Sequence, residues 1–505
     1  MSLEQSDREL MSAVAGYLKR VEAFAAQEEV SERTPFGDAL SDHLGADATV
    51  LSIVTEEVPS HRLVDADIAL DELVEQSGGS LIGVTGGEQR FHSSMSELVA
   101  NRHMRFAVGA VTYASRDIGP DATRRVVSFG VRLLTFDEAP VVVVQRGAAP
   151  QFGREAAQLE VMAPDQDVSM AFLDRLRALM IERSVLRGKV LSFAGTMYGQ
   201  SAGATFLRRP DVAQDVIVLA DGVLERITGH VVGIGEHRRE LLDAGQHLKR
   251  GVLLYGPPGT GKTLTVRHLL SRTPDVTAVV LTGSSIQYIG AAAEIARTFQ
   301  PSLVVLEDID LVAMERTYTP QPLLFEVLDA LDGLDSDADV AFVMTTNRVQ
   351  VLERALAARP GRVDLGVEIG LPDAGARRRL FRRYARTLPF SGAALDDAAD
   401  RAEDTTGSFA KELMRRTVLA AALRGGEPDD DDLRECLDAL LSSSEQLTRQ
   451  LLGGASDPGT DTDPYANGPG ADGPDADAYP DDSDDPHEAV ATLRWSVTPP
   501  PGVLP

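Results

Sequence analysis

The chain reads Gly256-Pro257-Pro258-Gly259-Thr260-Gly261-Lys262-Thr263 at the point that decides its fold. This octapeptide fits the pattern G-x-x-x-x-G-K-[ST]. It lies between an apolar run, residues 251–255, that predicts a buried strand and a run, residues 264–271, that predicts a helix. Glycines let the backbone curl so that successive N–H groups face an anion, and the N-terminus of the following helix adds partial positive charge. The order strand, loop, helix therefore predicts a site for a nucleoside triphosphate.

Two side chains of the loop predict how the phosphates and a metal ion are held. Lys262 supplies a point charge for the outer phosphates, and the hydroxyl of Thr263 is the kind of oxygen ligand that Mg²⁺ takes. We expect the whole octapeptide and the next residue, Leu264, to contact the nucleotide. Thr263 is expected to contact the metal ion as well.

Polar residues follow two further apolar runs, as such a loop requires. The run 303–306 ends in Glu307-Asp308, and the run 340–344 is followed by Thr345, Thr346 and Asn347. Carboxylates at the C-terminal end of a parallel strand lie where a nucleotide-bound Mg²⁺ and an attacking water need them. The second run places the amide of Asn347 beside the γ-phosphate.

Two arginines, Arg359 and Arg362, follow in the segment Ala358-Arg359-Pro360-Gly361-Arg362-Val363-Asp364. An arginine at a transferring phosphoryl group stabilises its spread negative charge, which increases the rate by roughly 10³–10⁵ when it acts as a finger. The two arginines therefore join Glu307, Asp308 and Asn347 as candidate catalytic residues.

Together these segments resemble the AAA ATPases, over about residues 220–450. GPPGTGKT corresponds to Walker A, LVVLEDID to Walker B, TTN to sensor 1 and ARPGRVD to the arginine-finger segment. The resemblance implies an ATP-hydrolysing enzyme with ATP and Mg²⁺ as cofactors. It also implies a homo-oligomeric ring, with a hexamer expected, in which the arginines reach the neighbouring subunit's nucleotide.

The Walker B segment departs from the commonest family pattern, because it reads Glu-Asp where most members read Asp-Glu. This order resembles the BCS1-type branch of the family. We therefore expect Asp308 to orient the water and Glu307 to lie on the metal side, where it acts directly or through a water molecule. The reverse assignment is the alternative.

A further segment, Gln287-Tyr288-Ile289-Gly290, lies between a predicted strand (278–281) and a predicted helix (291–299). In protein-remodelling AAA rings this position is the first pore loop. Tyr288, Ile289 and Gly290 would then face a central channel, where a flat aromatic ring grips an extended chain without sequence demands. The alternative is that Tyr288 and Ile289 pack inside the domain.

The predicted fold class is α/β: a P-loop AAA core, with a parallel sheet flanked by helices, and a small helical lid. An α+β domain precedes it and a disordered acidic tail follows. The expected boundaries are an amphipathic helix in 1–30, the α+β domain in 31–200, the large ATPase subdomain with its lead-in in 201–372, the lid in 373–452 and the tail in 453–505. The first helix has two candidate roles: packing on the next domain, or self-association.

Composition narrows the choice of partners and location. The net charge of −28 disfavours a nucleic-acid groove, which needs clustered Lys and Arg. A single cysteine suits a reducing compartment, and no stretch approaches the ~18–20 apolar residues of a membrane helix, so we expect a cytoplasmic protein without a membrane partner.

Beyond Gly453 eleven acidic residues accompany one arginine, a composition typical of disorder. Around Trp495 this tail is either solvated or a docking segment for a partner.

Three functions remain open at this stage. The first is a ring that remodels, unfolds or threads protein substrates through its pore. The second is an ATP-gated assembly or switch protein that holds a partner without threading it. The third, a nucleic-acid-directed ATPase, is disfavoured by the charge.

Overall fold

The computed structural model describes residues 11, 13–20, 32–196, 199–310, 337–350 and 363–442. Residues 13–20 are helical, in agreement with the amphipathic pattern, and the apolar side chains of Val14, Tyr17 and Leu18 are exposed. These three side chains therefore do not pack on the next domain. The predicted arginine-finger residues Arg359 and Arg362, and the predicted acidic tail, lie outside the described residues.

The first half of the chain is built on an antiparallel sheet of seven strands, in the order β1-β7-β6-β5-β2-β3 with β4 paired to β5. The strands are β1 Ile53–Val58, β2 Ser80–Val84, β3 Val108–Gly109, β4 Thr112–Gly119, β5 Ala122–Phe136, β6 Ala139–Arg146 and β7 Ala157–Met162. Four helices accompany them: α1 Pro35–Leu44, α2 Leu63–Ser77, α3 Met95–Val99 and α4 Gln166–Glu182. The α+β class expected for this region is confirmed.

Strands β5 and β6 form a long hairpin, in which Val131 faces Val144 across the antiparallel pair. Asp137 and Glu138 form its two-residue turn with φ of 48° and 66°. Two positive φ values match the right-handed twist of the flanking strands, and an acidic residue such as Asp tolerates this region better than most side chains. The turn thus fixes the register of the longest hairpin in the described sheet.

The second half is built on a seven-stranded sheet in the order β14-β10-β13-β12-β11-β8-β9, parallel except for the β8–β9 pair. Its strands are β8 Val190–Thr196, β9 Gly199–Leu207, β10 Arg250–Tyr255, β11 Thr277–Thr282, β12 Ser302–Glu307, β13 Val340–Thr346 and β14 Leu365–Glu368. In the described residues, the helices before the lid are α5 Val223–Thr228, α6 Ile234–Glu236, α7 Arg238–Asp243, α8 Lys262–Arg272 and α9 Ile289–Thr298. Short 3₁₀ turns cover Ser60–Arg62, Gly87–Phe91, Pro150–Phe152, Gln214–Val216 and Gly283–Tyr288, and a π turn covers Gly229–Gly233.

Strand β8 extends the parallel sheet beyond the motifs, because Ala278 and Val279 of β11 pair with Val190 and Leu191. The second sheet thus begins inside the range 31–200 that the sequence assigns to the N-terminal domain. We propose a boundary close to residue 188 instead of 200. The remaining domain limits stay as proposed from the sequence.

Four helices that pack on one another follow the second sheet, as the lid pattern predicts: α10 Ala374–Ala385, α11 Gly392–Arg401, α12 Gly407–Arg424 and α13 Asp430–Leu441. Polar side chains cap the N-termini of these helices. Asp373, Ser391 and Thr406 each accept a hydrogen bond from a backbone N–H of the first turn. The apolar faces of all four helices meet in one core, which includes Phe381, Phe409 and Leu437.

Candidate functional site

The octapeptide forms a loop that turns from β10 into α8, as predicted. Gly256, Gly259 and Gly261 have φ of 143°, 77° and 112°, values that side-chain-bearing residues rarely adopt. A Cβ on Gly256 would stand 2.2 Å from the carbonyl oxygen of Ile369, so no other residue fits there without moving the backbone. Gly261 precedes α8 without a side-chain cap, which leaves the first N–H groups of the helix for an anion.

Lys262 lies beneath this loop and is 6% exposed. Its Nζ donates hydrogen bonds of 2.7 Å to the carbonyl oxygens of Gly256 and Pro257. Burial lowers the pKa of the ammonium to about 8, although the carboxylates of Asp308 and Asp310 act in the opposite direction. The cation is therefore held in place before any phosphate arrives, and it titrates close to neutral pH.

This pKa predicts proton uptake when ATP binds. At pH 8 about half of the Lys262 side chains are neutral in the free protein, and the negative charge of a bound triphosphate raises their pKa. We expect uptake of about half a proton per ATP at pH 8, and an affinity that falls as the pH rises through 8. Calorimetry in buffers of different ionisation enthalpy measures the uptake. In Lys262→Arg, where the cation does not titrate, it should vanish; equal uptake in that variant would contradict the assignment.

The carboxylate of Glu307, at the end of β12, faces the loop. The nearby hydroxyl of Thr263, the residue predicted to bind Mg²⁺, favours the ionised form of Glu307. Burial and the neighbouring charge of Asp308 raise the pKa of Glu307, so the two adjacent carboxylates repel each other. A cation placed between Glu307 and Thr263 would relieve that repulsion, and the donor set of one hydroxyl and one carboxylate fits Mg²⁺.

Asp308 faces the end of the neighbouring strand β13. Its carboxylate Oδ1 accepts a 3.1 Å hydrogen bond from the Asn347 side-chain amide, and its backbone N–H donates to Thr345 Oγ1 at 3.0 Å. Its φ of 54° lies in the left-handed region, which costs about 1–2 kcal/mol for a residue other than glycine. The strained backbone directs this carboxylate to the predicted sensor amide, whereas Glu307 is directed to Thr263.

One more acidic residue, Asp310, belongs to this cluster and was not predicted as a site residue. It is 4% exposed, and its Oδ1 accepts hydrogen bonds from Thr346 Oγ1 at 2.9 Å and from the backbone N–H of Asn347 at 3.3 Å. Asp310 therefore positions Asn347. The signal in the sequence was the third acidic residue of Glu307-Asp308-Ile309-Asp310, two positions beyond the carboxylate that Asn347 contacts.

A cleft beside the loop was also not predicted from the sequence. Three segments meet there: residues 216–220 before the sheet, residues 368–372 after β14, and the start of α12 at Gly407. Leu380 and Tyr384 of the lid complete the lining. The cleft is largely apolar and touches Gly259, Thr260 and Gly261, so it is placed to hold the base of a nucleotide whose phosphates lie on the loop. Its residues are distant in sequence and form no motif, which is why the sequence did not reveal it.

The predicted pore segment does not form a free loop. Tyr288 ends a 3₁₀ turn and Ile289 begins α9 directly, so the helix starts two residues earlier than expected. Ile289 is 1% exposed and packs in the core of the second sheet, which corrects the expectation that it faces a channel. Tyr288 is half-buried, with its ring 5.8 Å from that of Phe193, whereas Gly290 is exposed. For Tyr288 and Gly290 a role in the pore stays a prediction.

The fold and this site define a P-loop nucleotide-binding domain with a helical lid. Residues 252–371 match the model of the AAA family, the ATPase family associated with various cellular activities. Residues 252–371 therefore form an AAA ATPase domain.

Individual relatives agree with this family. The chain is 31% identical over 219 residues to a proteasome-activating nucleotidase of Methanococcus maripaludis, with 40% of this chain and 53% of the relative covered. It is 30% identical over 303 residues to the ATP-dependent zinc metalloprotease FtsH 2 of Sphaerobacter thermophilus, with 55% and 46% covered. The chain thus spans about half the length of the curated relatives it matches. The resemblance to the BCS1-type branch stays a prediction.

Proposed function

We propose that this chain is an ATP-hydrolysing, ring-forming protein that remodels, unfolds or threads protein substrates. The observation that supports it most is the convergence of Lys262, Glu307, Asp308 and Asn347 on one loop. Relatives named as a proteasome-activating nucleotidase and as an ATP-dependent metalloprotease support the protein-directed part. The net charge of −28 still disfavours a nucleic-acid substrate. Within the part of the chain that the structure describes, no helix combines the length and apolar character of a membrane span.

The site residues divide the work of hydrolysis between two strand ends. The loop amides and Lys262 hold the phosphates, and the apolar cleft takes the adenine base. Asp308, oriented by the amide of Asn347, accepts a proton from the attacking water and aims it at the γ-phosphorus. Mg²⁺, held between Thr263 and Glu307, would neutralise charge on the β- and γ-phosphate oxygens. Arg359 and Arg362 are proposed to complete the site of a neighbouring subunit in a hexamer.

Tyr288 is proposed to grip the substrate chain, and this role gives a direct test. Tyr288→Ala should abolish ATP-dependent unfolding of a tagged substrate while at least half of the basal ATPase rate remains, because the lost contact is with the substrate. Tyr288→Phe should keep most of the unfolding activity, since the grip needs a flat ring and not the hydroxyl. Unfolding is followed by loss of fluorescence of a folded reporter fused to the tag.

Phe193→Leu is the matched control, because it removes the packing partner of Tyr288 and leaves the tyrosine in place. This variant should still unfold the reporter. The opposing result is that Tyr288→Ala lowers the ATPase rate and the melting temperature together, with a loss of folding stability of about 3–5 kcal/mol, which is typical of a truncated buried aromatic. That result would make Tyr288 a core residue and contradict the threading model.

The packing of Ile289 favours one second candidate, an ATP-gated switch that holds a partner without threading it. With Ile289 in the core and Tyr288 packed against Phe193, the segment is tied to the second sheet instead of projecting freely. Under this function a partner binds in the ATP state and is released intact after hydrolysis. A reporter that stays folded through many rounds of hydrolysis would distinguish it from threading.

A further inference from the structure

A cavity of about 380 Å³ lies between the two sheets, far along the chain from the nucleotide loop. One wall is formed by residues of the N-terminal domain, at the start of α2 and in β4. The opposite wall belongs to the edge strand β9 of the second sheet, through Gly203, Ala204 and Phe206. A volume of this size lies in the range, roughly 300–1,000 Å³, of small-molecule sites.

The floor of the cavity is apolar and its rim is charged. Leu63, Val64, Val185, Leu186 and Phe206 supply aliphatic and aromatic surface, whereas Arg116 and Asp117 supply one positive and one negative group. Among the described residues, the structure gives neither Arg116 nor Asp117 an ion-pair partner. The hydrogen bond that the described part of the chain gives Arg116 is one of 3.4 Å to the carbonyl oxygen of Ser115.

Arg116 and Asp117 both line the cavity, although neighbouring strand residues normally point to opposite faces. The register between β4 and β5 shifts between Asp117 and Gly119. A bulge of this kind bends the strand and re-aims a side chain, and bulges are frequent next to binding sites. This shift lies directly after the two charged residues, at the edge of the cavity that both of them line.

The third titratable residue of the wall, His61, adds no charge at neutral pH. Burial, with the neighbouring positive charge of Arg62, lowers the pKa of His61 to about 4. Its Nε2 is buried and has no hydrogen-bond partner among the described residues. The wall is thus net neutral, with one cation, one anion and one uncharged ring that can still make a hydrogen bond.

We propose that this cavity binds a free apolar α-amino acid. Its carboxylate would pair with Arg116 and its ammonium with Asp117, and its apolar side chain would lie on the floor against Leu63 and Phe206. A molecule with only one charge would leave one rim group without a partner. Because the two walls belong to different sheets, an occupant would contact both at once.

Calorimetric titration of the full chain tests the proposal with three probes that share the same isobutyl group. L-leucine carries both charges, 4-methylpentanoate only the carboxylate, and 3-methylbutylamine only the ammonium. We expect one leucine per chain, and about fivefold or more weaker binding of each analogue, as befits ion pairs at a solvent-exposed rim. No heat with millimolar leucine, or equal binding of the three probes, would overturn it.

Variants locate the binding. A Cβ on Gly203 would meet nothing within 4 Å, so Gly203→Leu should fill the cavity without straining the backbone and abolish leucine binding. Arg116→Gln should weaken leucine about fivefold but not 3-methylbutylamine. Arg175→Gln, an exposed arginine on α4 paired with Glu182, is the matched control and should bind leucine as the parent does. An unchanged melting temperature shows that each variant folds, and normal binding by a folded Gly203→Leu refutes the site.

Discussion

Lys262→Ala is expected to weaken ATP binding by about 10²-fold, the upper range for loss of one charge-assisted hydrogen-bond partner. The loop amides would then face the triphosphate without the cation that the carbonyl oxygens of Gly256 and Pro257 hold in position. The rate of hydrolysis should fall together with the affinity. Titration calorimetry with ATP and Mg²⁺ measures the affinity.

Arg272→Ala serves as the matched control for this variant. Arg272 is exposed and ends the helix that Lys262 begins, so it changes the charge of the same helix by the same amount at the opposite end. We expect it to bind ATP as the parent chain does. Near-normal affinity in Lys262→Ala, with both variants folded, would show that the octapeptide is not the phosphate site.

Asp308→Asn is expected to keep ATP binding and to slow hydrolysis by about 10²-fold or more, as when a catalytic base is lost. Asparagine is the right replacement for two reasons. It tolerates the left-handed φ of 54° that Asp308 adopts, and its side-chain oxygen can still accept from Asn347. The backbone and the sensor contact are thus preserved, and only the proton-accepting carboxylate is removed. Single-turnover hydrolysis and ATP affinity should be measured on the same preparation.

Glu307→Gln is the companion variant, because it removes the carboxylate that contacts Thr263. We expect it to weaken Mg²⁺-dependent ATP binding more than Asp308→Asn does. The opposite result, in which Glu307→Gln binds ATP tightly and stalls while Asp308→Asn loses the metal, would exchange the two roles. The contacts to Thr263 and Asn347 favour the first outcome.

The nucleotide loop and the strands around it were predictable because their signals are local. The parallel strands β10, β12 and β13 are short apolar runs buried on both faces. The loop is a contiguous motif whose glycines are needed for φ values of 143°, 77° and 112°. The helical lid was predictable for a similar reason, since capping residues such as Asp373 and Thr406 precede its amphipathic runs.

Features that depend on distant residues were not predictable in the same way. The apolar cleft beside the loop joins residues near 218, 370 and 407. Strand β8 belongs to the second sheet because it pairs with β11, which lies far from it in the sequence. The local pattern Tyr288-Ile289-Gly290 predicts that Ile289 faces a channel. Its burial is instead decided by packing in the core that contains Val304 and Phe342. Tertiary packing therefore overrode a local pattern.

The contact between Gly256 and Ile369 has a mechanical meaning. The first residue of the loop touches the carbonyl oxygen of Ile369, which is followed four residues later by Asp373, the cap of the first lid helix. The N–H of Ser408, in the third lid helix, also donates to the carbonyl oxygen of Gly259 at 3.3 Å. The loop is therefore joined to the lid by one close backbone approach and one direct hydrogen bond. We therefore expect a shift of the loop on nucleotide exchange to reach the lid through these two contacts, because they join the loop to the chain near the starts of the first and third lid helices.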